Sequence, residues 1–256
     1  MDPLACAIET AKEAGALLLQ RVGQPLDIRE KGTHGDLVTA SDRASEALIV
    51  ARLRAEFPAA TILGEEGGTR AGTGDERWIV DPLDGTTNYA HGYPLYCVSI
   101  AYERSGELRA AAIYAPALDE LYAAERGGGA VCNGNPIAVS GAATVGDALV
   151  CTGFNPARYE RNGRHFAALS QVAQGLRRDG SAALDLAFVA AGRFDAFWEF
   201  DLKPWDIAAG ALLIREAGGT VTAIDGSPLD LPNGSTLGSN GRLHAAMIAA
   251  LDLQEN

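Results

Sequence analysis

The sequence predicts an α/β protein of the layered α+β kind. Three observations predict it. Strand-like apolar runs follow one another from residue 96 to about 152, with turn residues between them, as in an antiparallel sheet. After Gly153 helical patterns alternate with short strands. Ahead of both, two amphipathic helices precede the first strands. The chain has 256 residues, enough to bury a sizeable core.

Leu4, Ile8, Gly15, Leu18 and Val22 share one face of a first helix. Its acids mark it as a helix of the fold and not a signal peptide. Residues 31–36, KGTHGD, form a glycine-bearing loop and a candidate lid. Ser41 and Asp42 sit where a second helix is capped, and that helix ends near Phe57, before Pro58. ATILGEE (60–66) and RWIVD (77–81) are short strands. YCVSIAYE, LRAAAIYA, ELYAAE, PIAVS and ALVCT are the runs of the antiparallel sheet. Helices at 161–174, 182–191 and 205–217 then alternate with the strands FDAFWEF and GTVTAI, and a last helix starts near Leu243. No linker or repeat interrupts this order, so residues 1–256 read as one domain, with halves at 1–152 and 153–256.

Charge and cysteines narrow the function. Lys and Arg number 21 against 33 Asp and Glu, a formal charge of −12. The densest basic cluster is the pair Arg177 and Arg178, so neither nucleic acid nor an anionic membrane is an expected direct partner. No apolar run approaches a membrane span. Cys6, Cys97, Cys132 and Cys151 form no CxxC pair, which suggests neither a zinc site nor a disulfide framework. Reduced thiols and a cytoplasmic location are expected. His34, His91, His165 and His244 pair with no nucleophile motif and read as surface or loop residues.

Three acidic clusters carry chemistry. Glu65 and Glu66 close a strand; neighbours on a strand point to opposite faces, so one of them can face a site. WIVDPLDGTTNY (78–89) places Asp81 at a strand end and Asp84 on the following turn. Pro82 holds Asp81 extended, Gly85 lets a ligand approach, and Thr86 and Thr87 offer amides and hydroxyls at a helix start. An Asp-Gly turn with capping aspartates reads the same residues blandly. Asp206 lies in the first turn of a strongly patterned helix, where an acid offsets the dipole in any case. Taken together, Glu65, Asp81, Asp84 and Asp206 repel one another, and no Arg or Lys adjoins them in sequence. Hard divalent cations with oxygen ligands are the natural partners, magnesium first. A cleft loaded with such ions becomes a phosphate site.

GEE, WIVDPLDGTTNY and WDIAAG, in that order, resemble the signatures of the inositol monophosphatase family of magnesium-dependent, lithium-sensitive phosphomonoesterases. The resemblance extends through DLVTASD (36–42) and the segment 177–200, and is closest to the bacterial branch. It implies an αβαβα layered sandwich, as in fructose-1,6-bisphosphatase, and a homodimer. It implies two to three Mg2+ ions: one held by Glu65, Asp81 and the Leu83 carbonyl, a second by Asp81, Asp84 and Asp206. Glu65 with Thr86 would activate water, with Asp42 supporting Thr86 or a third ion. Gly85 and Thr86 would meet the phosphate. Gly180, Ser181, Ala182 and Glu199, with Asp84 and Asp206, would meet a phosphorylated polyol, and Lys31 matches a lysine of the mobile loop. Some bacterial relatives also bind transcription machinery, which implies a transcription-factor partner as a second role. A haloacid-dehalogenase-type phosphatase fits less well, because its two aspartates stand two apart and here they stand three apart.

Overall fold

The computed structural model describes residues 1–24, 29–30, 37–154 and 159–252. The loop at 31–36, with Lys31 and His34, and the segment 155–158 lie outside the described residues. Seven α-helices are found among the described residues: α1 (Pro3–Arg21), α2 (Ala40–Glu56), α3 (Thr86–Ala90), α4 (Tyr159–Leu169), α5 (Ala182–Ala190), α6 (Pro204–Glu216) and α7 (His244–Leu251). The strands are β1 (Arg29–Glu30), β2 (Leu37–Val38), β3 (Thr61–Gly64), β4 (Gly68–Arg70), β5 (Glu76–Asp84), β6 (Cys97–Arg104), β7 (Glu107–Ala115), β8 (Glu120–Glu125), β9 (Gly129–Cys132), β10 (Asn135–Pro136), β11 (Leu149–Thr152), β12 (Gly175–Arg177), β13 (Ala196–Glu199), β14 (Thr220–Thr222) and β15 (Thr236–Ser239).

A large sheet runs in the order β10-β9-β8-β7-β6-β5-β3-β4, and a smaller one in the order β12-β11-β13-β15-β14. The large sheet is antiparallel except where β3 pairs parallel with β5. In the smaller sheet β11 runs parallel to both β12 and β13. ALVCT therefore belongs to the second sheet and is not the end of the first antiparallel run. Its parallel pairing follows from the α4 crossover to β12, since parallel strands need a long connection. PIAVS is strand only as far as Pro136, and α4 stops at Leu169, short of the expected 174.

Side-chain alternation sorts the layers. Trp78 and Val80 of β5 pack with Ala11 and Leu18 of α1 and Ile49 and Leu53 of α2. Ile79, on the opposite face, packs with α5 and α6. Phe197 and Cys151 of the smaller sheet meet that same helix layer, while Trp198 and Val150 face Leu169 of α4 and Met247 of α7. The order is helices, sheet, helices, sheet, helices, the αβαβα sandwich. The central pair α5 and α6 packs tightly at Gly210, where a Cβ would come within 2.4 Å of the Leu186 Cβ. His244 is buried and bonded between Ser239 Oγ and Thr222 Oγ1, both at 2.8 Å. It is thus not a surface histidine; its place at the start of α7, against the smaller sheet, buries it.

Candidate active site

The site begins with an irregularity in β5. Asp81 pairs with Ser99, and Asp84 pairs with Cys97. Three steps on β5 thus match two on β6, which is a β-bulge. In a regular strand, residues three apart point to opposite faces. The extra residue restores parity, so both aspartates turn toward the α5–α6 layer. The bulge is locally held: the Leu83 amide donates to Asp81 Oδ1 at 3.0 Å, and the Ser45 hydroxyl donates to the Pro82 carbonyl at 2.7 Å. Asp84 is therefore the last residue of the strand and not part of a turn after it. Pro82 sits within the bulge, where the strand tolerates a missing N–H.

Each acid has a built support. Asp84 Oδ2 accepts the Ser181 hydroxyl at 2.6 Å and the Ala183 amide at 2.8 Å. Asp84 so caps α5 from another strand, at the end where free amides favour an anion. Asp206 is the third residue of α6 and accepts the Lys203 amide at 2.7 Å, so the capping reading of this acid also holds. The Ser99 hydroxyl donates to the Trp205 carbonyl at 3.2 Å and fastens the start of α6 beside Asp81. Glu65 stands in the turn after β3, beyond the strand whose alternation was expected to orient it.

Electrostatics shows that the four converge. Asp81 is buried, and burial, then Glu65, Asp84 and Asp206, push its carboxyl well above the usual range. Asp206 is pushed the same way by enclosure, then by Asp84 and Glu65. Asp84 rises less, because Ser181 and the α5 amides favour its charged form. Lys203 acts on Asp206, but no side-chain ion pair to Asp81, Asp84 or Asp206 is found among the described residues. The donor set is all oxygen and all anionic, and its crowding is relieved by a hard divalent cation. The residues fit magnesium.

The neighbouring candidates fall around this cradle. Thr86 donates toward Asp42 Oδ1 at 3.0 Å and the Leu83 carbonyl at 3.1 Å. Asp42 is buried, and its other oxygen takes the Thr39 amide at 2.8 Å, so it both caps α2 and holds Thr86. Thr39, not Ser41, is the N-cap. Gly85 has φ +88°, and a Cβ there would meet the Leu95 carbonyl at 2.9 Å and the Gly180 carbonyl at 3.3 Å. Asn88 donates to the carbonyls of Leu95 and Asp179, at 2.6 and 2.7 Å, and ties these loops together. Gly85, Gly180, Ser181 and Ala182 are thereby adjacent. The Ser181 hydroxyl, however, is turned inward to Asp84. Glu199 is a buried strand residue, not a solvated one; burial, then Asp206 and Asp84, raise its carboxyl well above the usual range, with Arg178 opposing.

Sequence reasoning missed Ser45, Asn88, Ser99 and Glu46, which act through contacts far along the chain. Glu46 of α2 is buried and accepts the amides of Glu66 (2.7 Å) and Gly67 (3.0 Å), and pairs with Arg70 at 2.6 Å. It clamps the turn that carries Glu65. Glu46→Ala is expected to cost about 2–3 kcal/mol of stability by orphaning these donors. The magnesium needed for half-maximal activity should rise about tenfold. Chemical unfolding and a magnesium titration check both effects.

A model of the inositol monophosphatase family matches residues 1–255. An inositol-1-monophosphatase of Mesorhizobium japonicum is 46% identical, over 95% of this chain and 94% of its own. A Nus factor SuhB of Pseudomonas aeruginosa is 43% identical, over 98% of this chain and 96% of its own. The solved structure of the extragenic suppressor protein suhB from Bartonella henselae superposes with a TM-score of 0.94, at 38% identity, covering 98% of each chain.

Proposed function

The chain belongs to the inositol monophosphatase family, and we propose that it is a cytoplasmic, magnesium-dependent phosphomonoesterase acting on a small polyol phosphate, myo-inositol 1-phosphate first. The observation that carries this reading is the convergence of Glu65, Asp81, Asp84 and Asp206, whose mutual repulsion and burial raise the carboxyls of Asp81 and Asp206. The 46% identity to an inositol-1-monophosphatase supports the substrate. The acids come from both halves of the chain, which supports one functional domain.

Glu65, Asp81 and the Leu83 carbonyl would hold one ion, and Asp81, Asp84 and Asp206 a second; a third would sit near Asp42. Bound magnesium supplies Lewis acidity and lowers the pKa of a ligated water. Glu65 takes the attacking water's proton, and the Thr86 hydroxyl, fixed by Asp42, orients that water. The amides of Gly85 and Thr86 face the phosphate. Glu199 accepts hydrogen bonds from substrate hydroxyls beside Gly180 and Ala182. The Ser181 hydroxyl serves by holding Asp84. Displacement is direct and in line, and no residue is phosphorylated.

The test is a phosphate-release screen over inositol 1-phosphate, fructose 1,6-bisphosphate, histidinol phosphate, NADP and a nucleotide 3′-phosphate. Magnesium-dependent release, fastest from inositol 1-phosphate and suppressed by lithium, is expected. A preference for NADP or histidinol phosphate overturns the substrate and leaves the mechanism standing. The 43% identity to a Nus factor SuhB supports a second role, binding transcription machinery. Retention of purified RNA polymerase on the immobilised protein tests it. A homodimer is the assembly expected from the family, and light scattering reads it directly.

A further inference from the structure

A second cluster of ligating atoms lies behind the catalytic cradle. Cys151 is on β11, Asp179 follows β12, and Asp185 is in the first turn of α5. The Cys151 sulfur and one carboxylate oxygen from each aspartate all lie within 4.8 Å of one another. Cys151 and Asp185 are fully buried, at 0% and 1% exposure, and Asp179 is half-buried.

Asp185 supplies an independent sign of a missing ligand. Neither of its carboxylate oxygens has a hydrogen-bond partner of normal geometry. The Cys151 thiol donates to the Thr152 carbonyl at 4.0 Å and reaches Asp185 only loosely, close enough to favour its charged form but outside normal hydrogen-bond geometry. An ionised carboxylate buried in this way costs several kcal/mol unless a proton or a cation meets it. Burial accordingly pushes the Asp185 carboxyl well above its usual range, with the nearby thiol opposing. Asp81, Asp84 and Asp206, by contrast, each accept a backbone hydrogen bond.

We propose that Cys151, Asp179 and Asp185 bind a borderline-soft transition-metal cation of the zinc type, at a site separate from the catalytic one. A sulfur ligand selects against magnesium and calcium and favours zinc. Zinc bonds of about 2.3 Å to sulfur and about 2.0–2.2 Å to oxygen put tetrahedral ligands roughly 3.5 Å apart. The cluster needs to contract by only about 1 Å to meet that geometry. The half-buried side at Asp179 leaves the fourth position to water. On binding, the thiol gives up its proton to solvent. The ion ties the ends of β11 and β12 to the start of α5. Ser181 and Ala183, which hold Asp84, lie on that same start. The site therefore braces a catalytic carboxylate without touching substrate, and its existence does not depend on the proposed substrate.

The full chain, saturated with magnesium, is titrated with cobalt(II) as a spectroscopic stand-in for zinc. A thiolate-to-cobalt charge-transfer band should appear at one equivalent and be displaced by zinc. Cys151→Ser should abolish it, and Asp185→Asn and Asp179→Asn should each weaken binding about tenfold or more. Cys97→Ser is the control, because the Cys97 sulfur lies 3.8 Å from Asp84 Oδ2, and it should leave the band intact. No band in the wild type, a band that survives Cys151→Ser, or one lost only with Cys97→Ser overturns the site. Should Cys151→Ser not fold, Asp179→Asn at its half-buried position decides: unchanged cobalt affinity overturns the proposal.

Discussion

Asp81→Asn is expected to lower kcat/KM on the order of a thousandfold at saturating magnesium, about 4 kcal/mol of transition-state stabilisation. The same substitution is expected to stabilise the metal-free protein. Both effects come from one position: Asp81 is buried among three other acids, and in the proposed site it is the one acid shared by both ions. Asparagine keeps an oxygen for the Leu83 amide, so the bulge remains. It removes a charge that burial and like neighbours oppose. Relief of about 1–2 kcal/mol would raise the metal-free Tm by about 2–6 °C. The pH dependence has a definite sign. The folded pKa of Asp81 is raised, so its contribution is most favourable below the unfolded value of about 3.9. As pH rises from there through the folded value, the unfolded chain releases the proton first and stability is lost. The gap in metal-free Tm between variant and wild type should therefore widen with rising pH. Magnesium should reverse the order, because it binds the folded wild type. Phosphate release and thermal melts with and without chelator read all of this. Wild-type turnover in the variant would remove Asp81 from the site.

Trp78→Ala is expected to cost about 3–5 kcal/mol and to lower Tm by roughly 10 °C. Trp78 is fully buried, with ring centroids 5.1 Å from Phe57 and 4.9 Å from Tyr102. Its side chain faces α1 and α2, away from the acids. Below the melting transition, kcat per folded molecule should stay close to wild type. Trp78→Phe should cost much less, since the indole nitrogen has no hydrogen-bond partner to lose. Denaturant melts and active-site-normalised rates separate the two effects. A loss of kcat without a loss of stability would refute this division of labour across the strand.

The parts of the fold legible in the sequence were those written in local pattern. Helices α1, α2, α5 and α6 follow their apolar spacing, and α6 starts at its proline. The acids were legible as types, because four carboxylates without a neighbouring cation are an anomaly wherever they fall. What was not legible lay in long-range pairing. That β11 joins the second sheet depends on which strands flank it, and nothing in ALVCT says so. Glu46 looks like an ordinary helix acid until Arg70 and the turn after β3 fold against it. His244 looks like a surface residue until two hydroxyls close on it. By resemblance Ser181 is expected to face substrate, and only the position of Asp84 shows where its hydroxyl goes. Cys151 has no partner cysteine in a spacing rule, and its aspartate neighbours come from 28 and 34 positions further on, as the numbering gives.

The bulge in β5 has a consequence for how this segment varies over evolutionary time. A strand has a reading frame of two, and Pro82-Leu83 holds a one-step frameshift written in space instead of in code. Flattening the bulge with both intervening residues kept would aim one acid into the layer of α1 and α2, among Leu18, Ile49 and Leu53. Deleting one of them would leave the acids two apart and on one face, but would remove the irregularity in which the Leu83 amide holds Asp81. Substitution of the two intervening residues changes packing; a change in their number changes whether the bulge exists at all. The length of this motif is therefore under stricter constraint than its spelling.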